Sequence, residues 1–204
     1  MTWYIFRHCE TLNNNLKAKY KKQNPNLYYN TAEYDTLLTI KGINQAQSIG
    51  YRLSLLNDDF SKYNLISSPL SRTRHTLQIV AEILGIENQK IQTENLLITK
   101  GWINYPKPTE EELIEKEKNM WTWTPKGCNE SYATEYERVV KFIEKYKNQE
   151  NLIICGHNGT ISVLVKILSG WTMEKIKENR RTDEFKYNQN YFYSYDKING
   201  VVKY

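Results

Sequence analysis

Arg7-His8, Arg72 and His157 are the residues of this 204-residue chain best suited to chemistry on an anion. A guanidinium is a planar fork of N–H donors that matches phosphate oxygens two at a time. A neutral imidazole can attack phosphorus as a nucleophile. A second imidazole, or the N–H groups at a helix start, can hold charge on the remaining oxygens. Such a set needs mainly to position and stabilise, which is most of what phosphoryl transfer requires. Taken singly, a strand-end histidine is more often a hydrogen-bonded structural residue, and an arginine after a Pro turn is usually solvated. Their joint placement gives them weight.

All of them stand where strands end. Residues 2–6 are a short aromatic and β-branched run that reads as a buried strand and stops abruptly at Arg7-His8-Cys9-Glu10-Thr11. Residues 64–67 make a second strand, and Ser68-Pro69-Leu70-Ser71-Arg72 turns from it into a helix carrying Leu77, Val80, Ala81 and Leu84, closed by Gly85. Residues 151–155 are the best central strand, and Gly156-His157-Asn158-Gly159-Thr160 ends it ahead of a helix through Ile161, Leu164 and Leu168. If these strands are parallel, their carboxyl ends share the edge where ligands bind in open α/β sheets.

The remaining elements complete such a sheet. Thr39 is an N-cap for a helix with Ile43, Ala46, Ile49, Leu53 and Leu56 at three- and four-residue spacing. Residues 109–120 suit a helix whose acidic start, Glu110 to Glu112, complements the helix dipole. Ser131 opens an amphipathic helix through Val139, Phe142 and Tyr146, and residues 171–179 a short one. Ile91-Gln92 and residues 96–98 are weaker strand candidates. Residues 190–196 and 201–204 flank a hairpin signal at Lys197-Ile198-Asn199-Gly200. The polar stretch 12–38 is expected to form a substrate-side flap. Alternating strands and helices predict an α/β fold, a doubly wound and mostly parallel sheet with helices on both faces. One domain spans 1–204, with a cap insertion at about 100–127.

Composition excludes several classes. Hydrophobic content of 40% and charged content of 25% are those of an ordinary globular chain long enough to bury a core. The net charge of +5 is spread without a basic run, so nucleic acid is not an expected partner. Sixteen Tyr residues do not alternate with Arg and are ascribed to A/T-rich codons rather than base stacking. Three cysteines without C-x-x-C spacing fit neither a zinc site nor a disulfide framework. No apolar stretch reaches membrane length, and a strand beginning at residue 2 leaves no room for a signal peptide. A cytoplasmic location, a small phosphorylated substrate and no membrane partner are expected, and a homodimer is compatible with all of this.

Taken together, the motifs resemble the histidine phosphatase superfamily, the phosphoglycerate-mutase-like proteins. Arg7-His8-Cys9-Glu10-Thr11, with Asn14 following, is similar to that family's R-H-G-E-T opening, with Cys in the Gly place. Residues 38–46 resemble its L-T-x-x-G-x-x-Q-A helix start, and Ser67-Ser68-Pro69-Leu70-Ser71-Arg72 its S-S-P-L-x-R segment. Asn129-Glu130-Ser131 looks like G-E-S, and Gly156-His157-Asn158-Gly159 like the late strand-H-G motif. The resemblance implies that His8 is the nucleophile and becomes phosphohistidine. It implies that Arg7, Asn14, Arg72 and His157 form the phosphate pocket, with Glu10, Thr11 and Asn158 as further binding positions. It also implies no metal and no organic cofactor.

Two departures stand out. The family's proton donor is a Glu in a segment like L-x-E-x-x-F-G, and here that place holds Leu97 or Ile98. The other branch uses an Asp directly after the late His, where this chain has Asn158. Glu94 is the nearest carboxylate in sequence and the candidate donor, with Glu110 or Glu111 as cap alternatives. Cys9 can replace Gly only if its φ is ordinary, as a small buried substitute. The expected function is a metal-independent phosphomonoesterase. A phosphomutase of the same superfamily is the alternative enzyme, and a phospho-ligand binder without the acid is the alternative of a different class.

Overall fold

The computed structural model describes residues 1–14, 35–100, 109–124, 128–179 and 189–204. Thr2–Arg7 (β1), Asn64–Ser67 (β2), Ile91–Thr93 (β3), Asn151–Gly156 (β4), Phe192–Asp196 (β5) and Gly200–Lys203 (β6) form one sheet in the order β3-β2-β4-β1-β5-β6. The first four in that order run parallel; β5 pairs antiparallel with β1 and β6 antiparallel with β5. The helices are Ile40–Ser54 (α1), Ser71–Ile83 (α2), Glu110–Lys118 (α3), Tyr132–Tyr146 (α4), Asn158–Leu168 (α5) and Met173–Glu178 (α6).

Strand alternation sorts side chains into two cores. Tyr4, Phe6, Ile153 and Cys155 face one side and pack with Ala46, Ile49, Leu53, Leu77 and Val80 of α1 and α2. Trp3, Ile5, Leu152 and Ile154 face the other and meet Val139 and Phe142 of α4 and Ile161 and Leu164 of α5. Strands buried on both faces read as continuous apolar runs, as 2–6 and 151–155 do. Each core aromatic matters: truncating fully buried Phe6 to Ala would cost about 3–5 kcal/mol.

Local signals set the helix starts as expected. Thr39 accepts the Gly42 N–H, Thr109 and Glu112 make a capping box, and Ser131 and Thr134 another. Gly42 has a steric reason: a Cβ there would stand 2.1 Å from the Glu10 carbonyl oxygen, so the start of α1 can press on the loop after β1.

One expectation is corrected. Residues 96–98 are not a strand; Asn95–Leu97 is a 3-10 turn. Glu94 accepts the Leu96 N–H at 2.9 Å, which curls the backbone out of the sheet, while Leu97 is buried in the core beneath α4. Apolar content there reflects packing on a helix rather than strand pairing. Most of the expected flap, and the cap at 101–108 and 125–127, lie outside the described residues. Trp121, just after α3, packs on Tyr136 of α4.

Candidate active site

The register levels three strand ends. Arg7 pairs with Gly156, Phe6 with Cys155, and Cys155 with Ser67. The ladder continues one step further, with His8 N–H donating to Gly156 O at 2.9 Å and Ser68 N–H to Cys155 O at 3.1 Å. Backbone pairing therefore carries His8, Ser68 and His157 to one edge. Arg72 joins them from the first turn of α2.

His8 and His157 lie with ring centroids 5.3 Å apart and planes at 60°. His8 Nδ1 is 2.8 Å from Cys9 O, and a carbonyl can only accept, so Nδ1 carries the proton. In the neutral ring the lone pair is then on Nε2. His157 Nδ1 faces the Arg72 guanidinium at 3.4 Å, and a guanidinium can only donate, so Nδ1 accepts. His157 Nε2–H then donates to Ser68 Oγ at 2.8 Å.

Both imidazoles are buried. Burial, then the charges of Arg7 and Arg72, holds His8 well below the usual imidazole range. Burial, then His8 and the arginines, does the same for His157. Burial and the neighbouring Arg72 charge bring Arg7 down to about 10. Burial also lowers Arg72, partly opposed by Asp35. Two guanidiniums and two imidazoles thus share a space that disfavours more positive charge. Arg7 Nε and Arg72 Nη1 are buried with no hydrogen-bond acceptor among the described residues. Buried donors of this kind call for an acceptor, and an oxyanion supplies several. α5 begins directly after His157, which adds the positive end of a helix dipole.

The other expected residues are distributed unevenly. Asn14 Oδ1 accepts from Thr11 N–H and Thr11 Oγ1, both at 3.1 Å, and from Gln189 Nε2 at 2.9 Å. Thr11 is buried and bridges to Leu38. Glu10 is taken up by the loop's own anchorage, accepting from Thr39 Oγ1 at 2.9 Å and pairing with Lys41 at 3.0 Å. Asn158 is exposed at the start of α5.

Glu94 is not brought to the imidazole pair. Its carboxylate accepts from Lys145 Nζ at 2.6 Å, Tyr146 O–H at 2.9 Å and Leu96 N–H, beneath the last turn of α4. Burial alone would raise this carboxyl, but those donors carry it below its ordinary range. Nearness in sequence to the expected donor position is not nearness in space, because the 3-10 turn swings residues 94–97 along α4. Glu110 and Glu111 are exposed on α3. Glu135 is a buried carboxylate paired with Lys100 at 3.0 Å and packed against Gly159.

Cys9 occupies its Gly-like place without strain, since no non-glycine among the described residues has a positive φ. It is buried, its N–H donates to Thr76 Oγ1 at 3.1 Å, and burial pushes its thiol up to about 12. Sequence reasoning passes over Ser68, Gln189 and Asp35. Ser68 lies inside the S-S-P-L-x-R segment, where its place just past a strand end is the signal that could have found it. Gln189 and Asp35 follow no local pattern that points to the pocket.

Two histidines and two arginines, with buried N–H donors that have no acceptor among the described residues, thus gather at the carboxyl edge of an α/β sheet. Residues 3–189 match the family model described as histidine phosphatase superfamily (branch 1), and the chain belongs to that superfamily. The chain is 25% identical over 181 residues to the adenosylcobalamin/alpha-ribazole phosphatase of Escherichia coli (strain K12), covering 85% of this chain and 82% of that one. Its fold is shared with the alpha-ribazole phosphatase of Shigella flexneri, at a TM-score of 0.66, 23% identity, and 96% and 90% coverage of the two chains. A putative alpha-ribazole-5'-P phosphatase of Escherichia coli gives a TM-score of 0.69, 21% identity, and 100% and 94% coverage. By family the chain is a phosphatase. Among the described residues no helix is long and apolar enough to cross a membrane.

Proposed function

We propose that the chain is a phosphomonoesterase acting through a phosphohistidine at His8 on a small phosphorylated substrate. The observation that carries this reading is a neutral His8, its proton fixed on Nδ1 by Cys9 O, among buried arginine donors with no acceptor among the described residues. Nε2 attacks phosphorus, the bond to the leaving oxygen breaks, and that oxygen takes a proton. Arg7 and Arg72 hold the equatorial oxygens as charge shifts between them. Water then attacks the phosphohistidine, the N–P bond breaks, and phosphate leaves with a neutral His8 behind. His157, oriented by Ser68, accepts from the Arg72 guanidinium through Nδ1 and so fixes the direction in which that guanidinium offers its other N–H groups.

The alpha-ribazole phosphates named for the relatives are the first substrates to test, as small phosphomonoesters of the expected class. A phospho-ligand binder is the second reading, and it draws support from buried Leu97 at the expected donor place. Incubation with p-nitrophenyl phosphate separates the two. The phosphatase reading expects released p-nitrophenol, an acid-labile phosphoryl group mapping to His8 after a quench in base, and neither in a folded His8→Ala protein. Full activity in that variant would remove His8 from the mechanism, and no turnover by the wild type would leave the binder.

A further inference from the structure

Arg72 depends on a residue from a distant part of the chain. Helix α2 begins at Ser71, its N-cap position is Leu70, and Leu70 has no side chain that can cap. The first backbone N–H groups of a helix have no intrahelical partner and need one from outside. Asp35 supplies it: Oδ2 accepts the Ser71 N–H at 2.6 Å, and Oδ1 accepts the Arg72 N–H at 3.3 Å. The same Oδ1 lies 3.9 Å from Arg72 Nη1, the buried guanidinium nitrogen that has no hydrogen-bond acceptor among the described residues.

We propose that Asp35 is a positioning residue for Arg72, capping α2 from a part of the chain 36 residues away. The inference rests on the reading that Arg72 binds the substrate phosphate. Its carboxylate fixes the backbone from which the guanidinium projects, and it steadies one edge of that guanidinium electrostatically. Both carboxylate oxygens are occupied by α2 N–H groups, which suits a fixed anchor rather than a group that exchanges protons with substrate. The sequence spacing of 36 residues between Asp35 and Ser71 hides this cap from any local motif.

The test is a double-mutant cycle read by binding of inorganic phosphate, followed by NMR or calorimetry, with turnover of p-nitrophenyl phosphate measured alongside. Asp35→Ala should weaken phosphate binding by about five- to tenfold, the effect of losing a helix cap that holds the binding residue. Asp35→Asn keeps one oxygen, which can still accept the Ser71 N–H, and should restore part of the loss. In an Arg72→Ala background, Asp35→Ala should change phosphate affinity hardly at all, although it still lowers the unfolding midpoint. An equal effect of Asp35→Ala in both backgrounds, or no rescue by Asn, would overturn the proposal. A wild type that binds phosphate without turnover would remove the phosphohistidine mechanism and leave this comparison valid. A wild type that does not bind phosphate would overturn both.

Discussion

His8 and His157 come from strands 149 positions apart in sequence, and their ring centroids stand 5.3 Å apart in the structure. Opposite ends of the two rings are tethered: His8 gives its Nδ1 proton to Cys9 O, and His157 gives its Nε2 proton to Ser68. The pocket nitrogens of both rings are thereby left as lone pairs among arginines. The arginines attract an anion to this place and keep protons off both rings.

That balance should show in stability. Burial and the arginines hold both native imidazoles well below their usual range, while in the unfolded chain they take up protons near an ordinary pKa of about 6.5. Below that pH the unfolded state binds more protons, so stability should fall as pH falls. The slope should approach about 1.4 kcal/mol per pH unit for each histidine. Denaturant midpoints measured between about pH 7 and about pH 5 check this, and His8→Gln should remove roughly half of the slope. A flat profile would mean that the native rings take up protons as readily as the unfolded ones.

Arg72→Lys should be costly for turnover. An ammonium cannot reproduce a guanidinium that faces His157 on one side and Asp35 on the other while offering a further N–H. Loss of a donor aimed at developing charge typically costs ~10²–10³ in rate. Steady-state kinetics with an aryl phosphate measure it, and near-normal activity in the Lys variant would take Arg72 out of the pocket's work.

Glu94→Gln should separate stability from chemistry. Its carboxylate is the acceptor for Tyr146, Lys145 and the Leu96 N–H, so the variant should lose about 1–3 kcal/mol of stability. A series of phosphate esters with leaving groups of rising pKa should fall off steeply for the wild type, because general acid help is typically worth about 10²–10⁴ and nothing here delivers Glu94 to the leaving oxygen. The same slope should be found for Glu94→Gln. A shallow wild-type series that this variant steepens would put Glu94 back as the donor.

The strand ends are legible in the sequence because a buried strand declares itself: 2–6 and 151–155 are apolar on both faces, and the residues just past them must lie at the edge. The three-layer arrangement comes from the alternation of such runs with amphipathic helices. The place of Glu94 is not legible, for a physical reason. Leu96, Leu97 and Ile98 look like a strand, yet Glu94 diverts the backbone into a turn along α4. Side-chain bonds across long spans, such as Asp35 to Ser71 or Gln189 to Asn14, have no periodicity to betray them. The fit of Cys9 is settled only by its backbone angle, which composition cannot convey.

The place of β4 between β1 and β2 has a consequence for how the protein is made. β1 and β2 share no ladder, and each pairs with β4 instead. A chain emerging from the ribosome therefore holds β1 and the β2–β3 pair unjoined until Gly156 has appeared. Closing such distant parallel pairings is slow, since loop entropy is lost before contacts repay it. His157 follows directly on the strand that joins β1 to β2, so the two imidazoles meet only once that join is made, ahead of β5 and β6. On the proposed function, phosphate has nothing to grip before then. It should leave the folding rate almost untouched and act by slowing unfolding, as expected for contacts absent from the transition state.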